Sequence, residues 1–243
     1  VPVGDWMWSP YEPFAGCTDG SLDELDRVLD LAQRYDLRVL IDVHGLKKSQ
    51  NGFDNSGAMS VKWREDGKGR PYYEHWNVRE PEWIGYFNGT KGMYTSLDWP
   101  NIDDSVGAIA AVAAMYKDHP AVVGVQPINE PWQPTPLGPL KRFYWEGYKA
   151  VKRIAPHWLF IMSDSFRLDP VVWRGYMEGC PDVAMDRHPH QAWANPGPPE
   201  DFFTDACASS AWIADFDAQV MPVLIGEWSL ATDNCAMWLN GFN

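Results

Sequence analysis

Six short apolar runs are spaced along the 243 residues, with helix-forming stretches or long loops between them: VPVGDW, RVLIDVHG, AVVGVQPINE, HWLFIMSD, DVAMDRHPH and PVLIGEW. Strands separated by crossing helices pair in parallel, so this alternation selects an α/β fold of successive βα units over a sandwich. The sequence Asp19-Gly20-Ser21 caps a helix reaching about Tyr35, with Leu22, Leu25, Val28, Leu29 and Ala32 on one face. Further helices are predicted over 103–117, 141–155 and 201–220. The matching architecture is a (β/α)8 TIM barrel, and six strands are two short of it. The expectation is an incomplete barrel: a single catalytic domain over 1–243, truncated at both ends. Two parallel edges would stay exposed, so residues 1–243 alone are expected to be poorly soluble and inactive.

Polar residues gather at the ends of these runs. In a parallel barrel the carboxyl ends of the strands carry the chemistry, because side chains fill the interior and loops surround the ligand. RVLIDVHG ends with Asp42 and His44, which share a face at period two. AVVGVQPINE ends with Asn129 and Glu130, DVAMDRHPH with His188 and His190, and PVLIGEW with Glu227. A single such residue is ordinarily solvated or satisfied within the core. Four strands of six carrying acid, amide or imidazole at the same end is a stronger pattern, since burying those groups without partners is costly. Glu130 and Glu227 are the natural pair for glycoside hydrolysis, one protonating the leaving oxygen and the other attacking the anomeric carbon or activating water. Asn129 is suited to hold a sugar hydroxyl beside the reacting centre. Pro127 cannot donate a ladder bond and predicts an irregularity just before Glu130.

Composition narrows the partners. The formal charge of −13 comes with no basic stripe, which argues against nucleic acid. No run of 18 apolar residues is present, so no membrane span is expected. Fourteen tryptophans suit faces that stack on sugar rings. Cys17, Cys180, Cys207 and Cys235 show no CxxC pairing, leaving two disulfides possible and a zinc knuckle improbable. With the acceptor pattern Asn88-Gly89-Thr90 they favour a secreted, extracellular or cell-wall setting. Between Gly45 and about Pro100 no period is convincing, and 58–100 reads as an aromatic-rich loop insertion. Trp63, Tyr72, Tyr73, Trp76, Trp83, Tyr86, Phe87, Tyr94 and Trp99 fall within this segment. A local core beneath the loop is the simpler account of these rings, and a cleft wall is the alternative.

INEP, DRHPH and IGEWS in this order, with IDVHG followed by SQNGFDNSG and a closing DNCAMWLNG, resemble glycoside hydrolase family 5, and within it the fungal exo-β-1,3-glucanases. The resemblance implies a (β/α)8 barrel, a retaining double-displacement mechanism, no metal or other cofactor, and a monomer acting on β-glucan. It implies Glu130 as acid/base and Glu227 as nucleophile, with Asn129 beside the acid and His44 and His188 lining the reacting centre. Asp54, Asn55 and Asn240 would bind the non-reducing glucose, while Phe53 and Trp193 grip the next sugar. The family's tyrosine after the sixth strand is His190 here, an imidazole whose charge varies with pH. Three other readings remain: an endo-acting β-glycanase, a non-catalytic glucan-binding protein, and a metal-dependent barrel hydrolase built on His188, His190, Asp42 and His44.

Overall fold

A computed structural model describes residues 1–12, 14–16, 20–53, 56, 63–65, 67–73, 81–192, 197–229 and 231. The elements in chain order are β1 (Pro2–Gly4), α1 (Ser21–Arg34), β2 (Val39–Gly45), β3 (Trp63–Glu65), β4 (Pro71–Tyr73), β5 (Phe87–Asn88), β6 (Met93–Tyr94), α2 (Trp99–Tyr116), β7 (Val122–Gln126), α3 (Leu137–Ile154), β8 (Leu159–Ser163), α4 (Pro170–Trp173), β9 (Val183–Arg187), α5 (Pro199–Gln219) and β10 (Val223–Ile225). They fall into two compact units: Val1–Ser60 with Val78–Phe166, and Val61–Asn77 with Arg167–Asn243.

In the first unit β1, β2, β7 and β8 lie side by side in that order, all parallel. Strand β2 alternates as a half-buried strand must: Val39, Ile41 and Val43 are buried, while Asp42 and His44 share the opposite face. At the β7–β8 crossing a Cβ on Gly124 would lie 2.3 Å from the Leu159 carbonyl oxygen, so only glycine permits that approach. Helices α2 and α3 pack together over this sheet. Ile102, Ile109 and Val112 of α2 and Leu140, Phe143 and Val151 of α3 are buried at helical spacing. Each fully buried apolar side chain of this kind stabilises the fold by about 1.5–3 kcal/mol.

Helix α1 buries Leu25, Leu29 and Ala32, as its stripe predicts. Its N-cap differs from the expectation. Gly20 occupies that position in a left-handed conformation, φ +78°, and no side chain caps the helix; Asp19 lies outside the described residues. Helix α2 begins four residues earlier than expected, because the Asp98 carboxylate accepts from the Asn101 N–H and Pro100 occupies its first turn.

The aperiodic segment after Gly45 holds two ladders too short to show a period, β3 against β4 and β5 against β6, both antiparallel. Trp83, Phe87 and Tyr94 are buried, and the Trp83 ring meets Phe143 edge-on at 4.9 Å. Trp83 donates from Nε1 to Ser105, and Asn101 donates to the Trp83 carbonyl, tying the segment to α2. For these three rings the local core is the correct reading, whereas Tyr86 is exposed.

In the second unit β9 and β10 pair in parallel, with Leu224 opposite Asp186 and Ile225 opposite Arg187. Helix α5 joins them and buries Phe216, and the Arg187 guanidinium lies 3.8 Å above the Trp212 ring. Cys180 and Cys207 are free thiols, so the two disulfides that the sequence left possible do not both form; Cys17 and Cys235 lie outside the described residues. Among the described residues no helix is long and apolar enough to cross a membrane.

Candidate active site

Strand β7 stops at Gln126, immediately before Pro127, which is where the missing N–H must end the ladder. The chain nevertheless stays beside β2: the Asn129 N–H donates to the Val43 carbonyl at 3.1 Å. One residue further, Glu130 adopts φ +42°, a left-handed conformation that a side-chain-bearing residue holds only when its surroundings over-determine it.

Those surroundings come from SQNGFDNSG. Gln50 is buried and donates from Nε2 to the carbonyls of His44 and Asn129, both at 2.8 Å, while its Oε1 accepts from the Leu46 N–H. Asn51, also buried, donates from Nδ2 to the Glu130 carbonyl at 3.0 Å and accepts from the Phe53 N–H. The stretch is itself tightened by Ser49, whose Oγ accepts from Gly52 and lies 2.6 Å from the Ser56 hydroxyl. Gln50 and Asn51 therefore bolt the end of β2 to Asn129 and Glu130. Read from sequence alone, Asn51 is only a turn residue and Gln50 has no role.

His44 and Asn129 meet in the same unit. The Asp42 carboxylate can only accept, so His44 Nδ1 carries the proton of their 2.6 Å bond and Nε2 is left as an acceptor. Asn129 Nδ2 faces that Nε2 at 3.3 Å. The Oδ1 of Asn129 is buried with no protein partner among the described residues, an acceptor held ready for a hydroxyl donor.

The second unit repeats the device. Asp186, 1% exposed, accepts from His188 Nε2 at 2.9 Å and from the Gly226 N–H at 2.6 Å. A Cβ on Gly226 would fall 2.3 Å from the Asp186 carboxylate, so this contact requires glycine just before Glu227. Beyond β9 the His190 N–H bonds back to the His188 carbonyl, a three-residue turn centred on Pro189, whose fixed φ suits it. His188 Nδ1 and His190 Nε2 then lie 3.7 and 3.5 Å from the same oxygen, Glu227 Oε2. Asp186 is a second residue the sequence reading passed over, although its spacing from His188 copies that of Asp42 from His44.

The structure thus groups His44, Asn129 and Glu130 in one unit and His188, His190 and Glu227 in the other. Phe53 is half-buried beside Asn51. Asp54, Asn55, Trp193 and Asn240 lie outside the described residues.

Among solved structures the chain resembles that titled AoRut, with a TM-score of 0.66 and 18% identity over 96% of this chain and 59% of that one. It also resembles endo-glycoceramidase II of Rhodococcus sp., solved with a cellobiose-like isofagomine, with a TM-score of 0.56 and 15% identity over 89% and 54%. At such identities the likeness speaks for fold. The class is α/β, an incomplete (β/α)8 barrel, with four parallel strands in the first unit and two in the second among the described residues.

In sequence the chain is 28% identical over 250 residues to the probable glucan 1,3-β-glucosidase A of Aspergillus niger, covering 99% of this chain and 50% of that protein. It is 29% identical over 253 residues to the glucan 1,3-β-glucosidase of Blumeria graminis, again over 99% and 50%. The chain spans about half the length of the curated relatives it matches. No protein-family model matches it.

Proposed function

We propose that the chain carries the catalytic residues of a retaining glycoside hydrolase that cleaves β-glucosidic bonds of a glucan, of family 5 and of the exo-β-1,3-glucanase type. One observation carries the reading: in a chain similar over 99% of its length to named glucan 1,3-β-glucosidases, Asn129-Glu130 and Glu227 each stand just past a parallel strand, held by buried partners. Glu130 serves as acid/base and Glu227 as nucleophile. A carboxylate flanked by two imidazole nitrogens suits the group that must act as an anion, which favours Glu227 for the attack on the anomeric carbon. The unused Oδ1 of Asn129 would accept from a sugar hydroxyl beside the reacting carbon, a bond that lowers the barrier where it tightens in the transition state.

By resemblance Phe53, Asp54, Asn55, Trp193 and Asn240 complete the sugar subsites, and the protein works as a secreted or cell-wall monomer. The test is product analysis of the full-length protein on laminarin, cellulose and mannan. Glucose released from laminarin with retained β configuration is the expected result. Inverted product, or full turnover after Glu130→Ala or Glu227→Ala, would overturn the assignment, and short oligosaccharides released first would replace exo with endo action.

A further inference from the structure

Glu227 has more nitrogen around it than a nucleophile needs. One ligand atom from each of His188, His190 and Glu227 lies within 4.8 Å of the others. The two imidazole nitrogens stand 3.7 and 3.5 Å from Glu227 Oε2, beyond the usual N–H···O length of about 2.7–3.2 Å. They are close to the spacing of about 3.3 Å between donors that share a tetrahedral ion with bonds of about 2.0–2.1 Å.

The tautomers point the same way. Because Asp186 can only accept, the Nε2 of His188 keeps its proton and Nδ1 turns a lone pair towards Glu227 when the ring is neutral. Two acceptors facing each other repel unless a proton or a metal cation sits between them. A carboxylate behind the distal N–H of a histidine is the support that metal-binding imidazoles use, since it fixes the ring and raises its basicity. Asp186 is itself held by the Gly226 N–H, so the support is rigid. The turn at Pro189 brings His190 to the same carboxylate oxygen.

We propose that His188, His190 and Glu227 form a binding site for a borderline divalent transition cation of the Zn2+ type, buttressed by Asp186, whose occupation ties up the Glu227 carboxylate. Imidazole with a single carboxylate selects such an ion over Mg2+ or Ca2+, which take all-oxygen shells. The site stands on its own geometry; only its consequence, reversible silencing of glucan turnover, rests on the function proposed above. Coordination takes neutral imidazoles, so binding releases to solvent any proton on the ligating nitrogens, and no electron transfer is involved.

The deciding experiment is calorimetric titration of the untagged, full-length protein with ZnCl2, alongside Co2+ absorption spectra. One equivalent is expected to bind. His190→Phe should weaken it by 100-fold or more and Asp186→Asn by roughly 10–100-fold, while Cys207→Ser leaves it unchanged. Circular dichroism of each variant separates lost binding from lost folding. Absence of stoichiometric binding, affinity unchanged in His190→Phe, or thiolate-to-cobalt charge transfer would each overturn the proposal. Binding is read without substrate, so glucan turnover in a protein that takes no zinc would refute the metal site and leave the glycosidase reading standing. Zinc binding in a protein whose metal-free form cleaves no glucan would do the reverse.

Discussion

Glu130 and Glu227 each follow a parallel strand by a few residues, yet the chain holds them with opposite chemistry. At Glu130 the backbone is gripped by neutral amides: Gln50 and Asn51 donate to the carbonyls of Asn129 and Glu130. At Glu227 the grip surrounds the side chain and the partners are titratable: Asp186 sets the preceding glycine and orients His188, and His190 joins from the turn. The first arrangement fixes the backbone from which the proposed acid/base projects. The second surrounds a carboxylate with potential cations, which suits a group that attacks as an anion.

Asp5 extends the contrast into the rest of the first unit. It is buried there between the Tyr11 hydroxyl and the Lys47 N–H, at 2.7 and 3.0 Å. Burial pushes its carboxyl up to about 6, against the opposing pull of those hydrogen bonds. Burial thus favours the protonated form of Asp5, while Asp186 is built into an acid–imidazole pair.

The largest effect that would break the comparison is expected at Gln50. Gln50→Ala leaves two carbonyls and one N–H without their partner, costing roughly 3–6 kcal/mol at about 1–2 for each lost bond. Chemical denaturation measures this, and a loss below about 1 kcal/mol would mean that the amides are not what holds Asn129 and Glu130.

Asp5 is expected to come next. Its folded pKa lies above the unfolded one, so the folded state binds the extra proton. Its contribution is fully present below about pH 4 and is lost as pH rises through about 6. The total is about 3 kcal/mol for a displacement of about two units. Asp5→Asn should flatten that slope, and an unchanged pH dependence of stability would contradict the picture of a buried acid that takes up its proton near pH 6.

A smaller effect sharpens the charged side. Asp186→Asn keeps the shape but removes the carboxylate that accepts from His188 Nε2, and should lower kcat for glucan hydrolysis by roughly 10–100-fold, equivalent to about 1.4–2.7 kcal/mol. KM should change little if Asp186 acts through His188 and Glu227. A KM effect with kcat intact would make it a substrate-binding residue instead.

How much of this was legible in the sequence follows from the range of each interaction. The stripe of α1 and the polar ends of β2, β9 and β10 are local patterns with a fixed period, and they stand where the sequence puts them. Pro127 likewise foretold the irregularity that ends β7 and precedes the left-handed Glu130. Gln50 and Asn51 were opaque because their partners lie 79 residues away, and nothing in QNG alone shows what an amide will bolt together. Asp186 was readable in principle, since Asp-x-His occurs at both Asp42 and Asp186. One copy reads as strand alternation, and only the pair reads as a device.

The assignment of different work to the two glutamates is tested most directly by azide rescue on an activated aryl β-glucoside. Glu130→Ala should be slow in its second step and recover turnover with azide, giving the β-glucosyl azide. Glu227→Ala should be all but dead, and azide should yield the α-glucosyl azide by direct displacement. The same azide anomer from both variants, or the two anomers exchanged, would contradict the account.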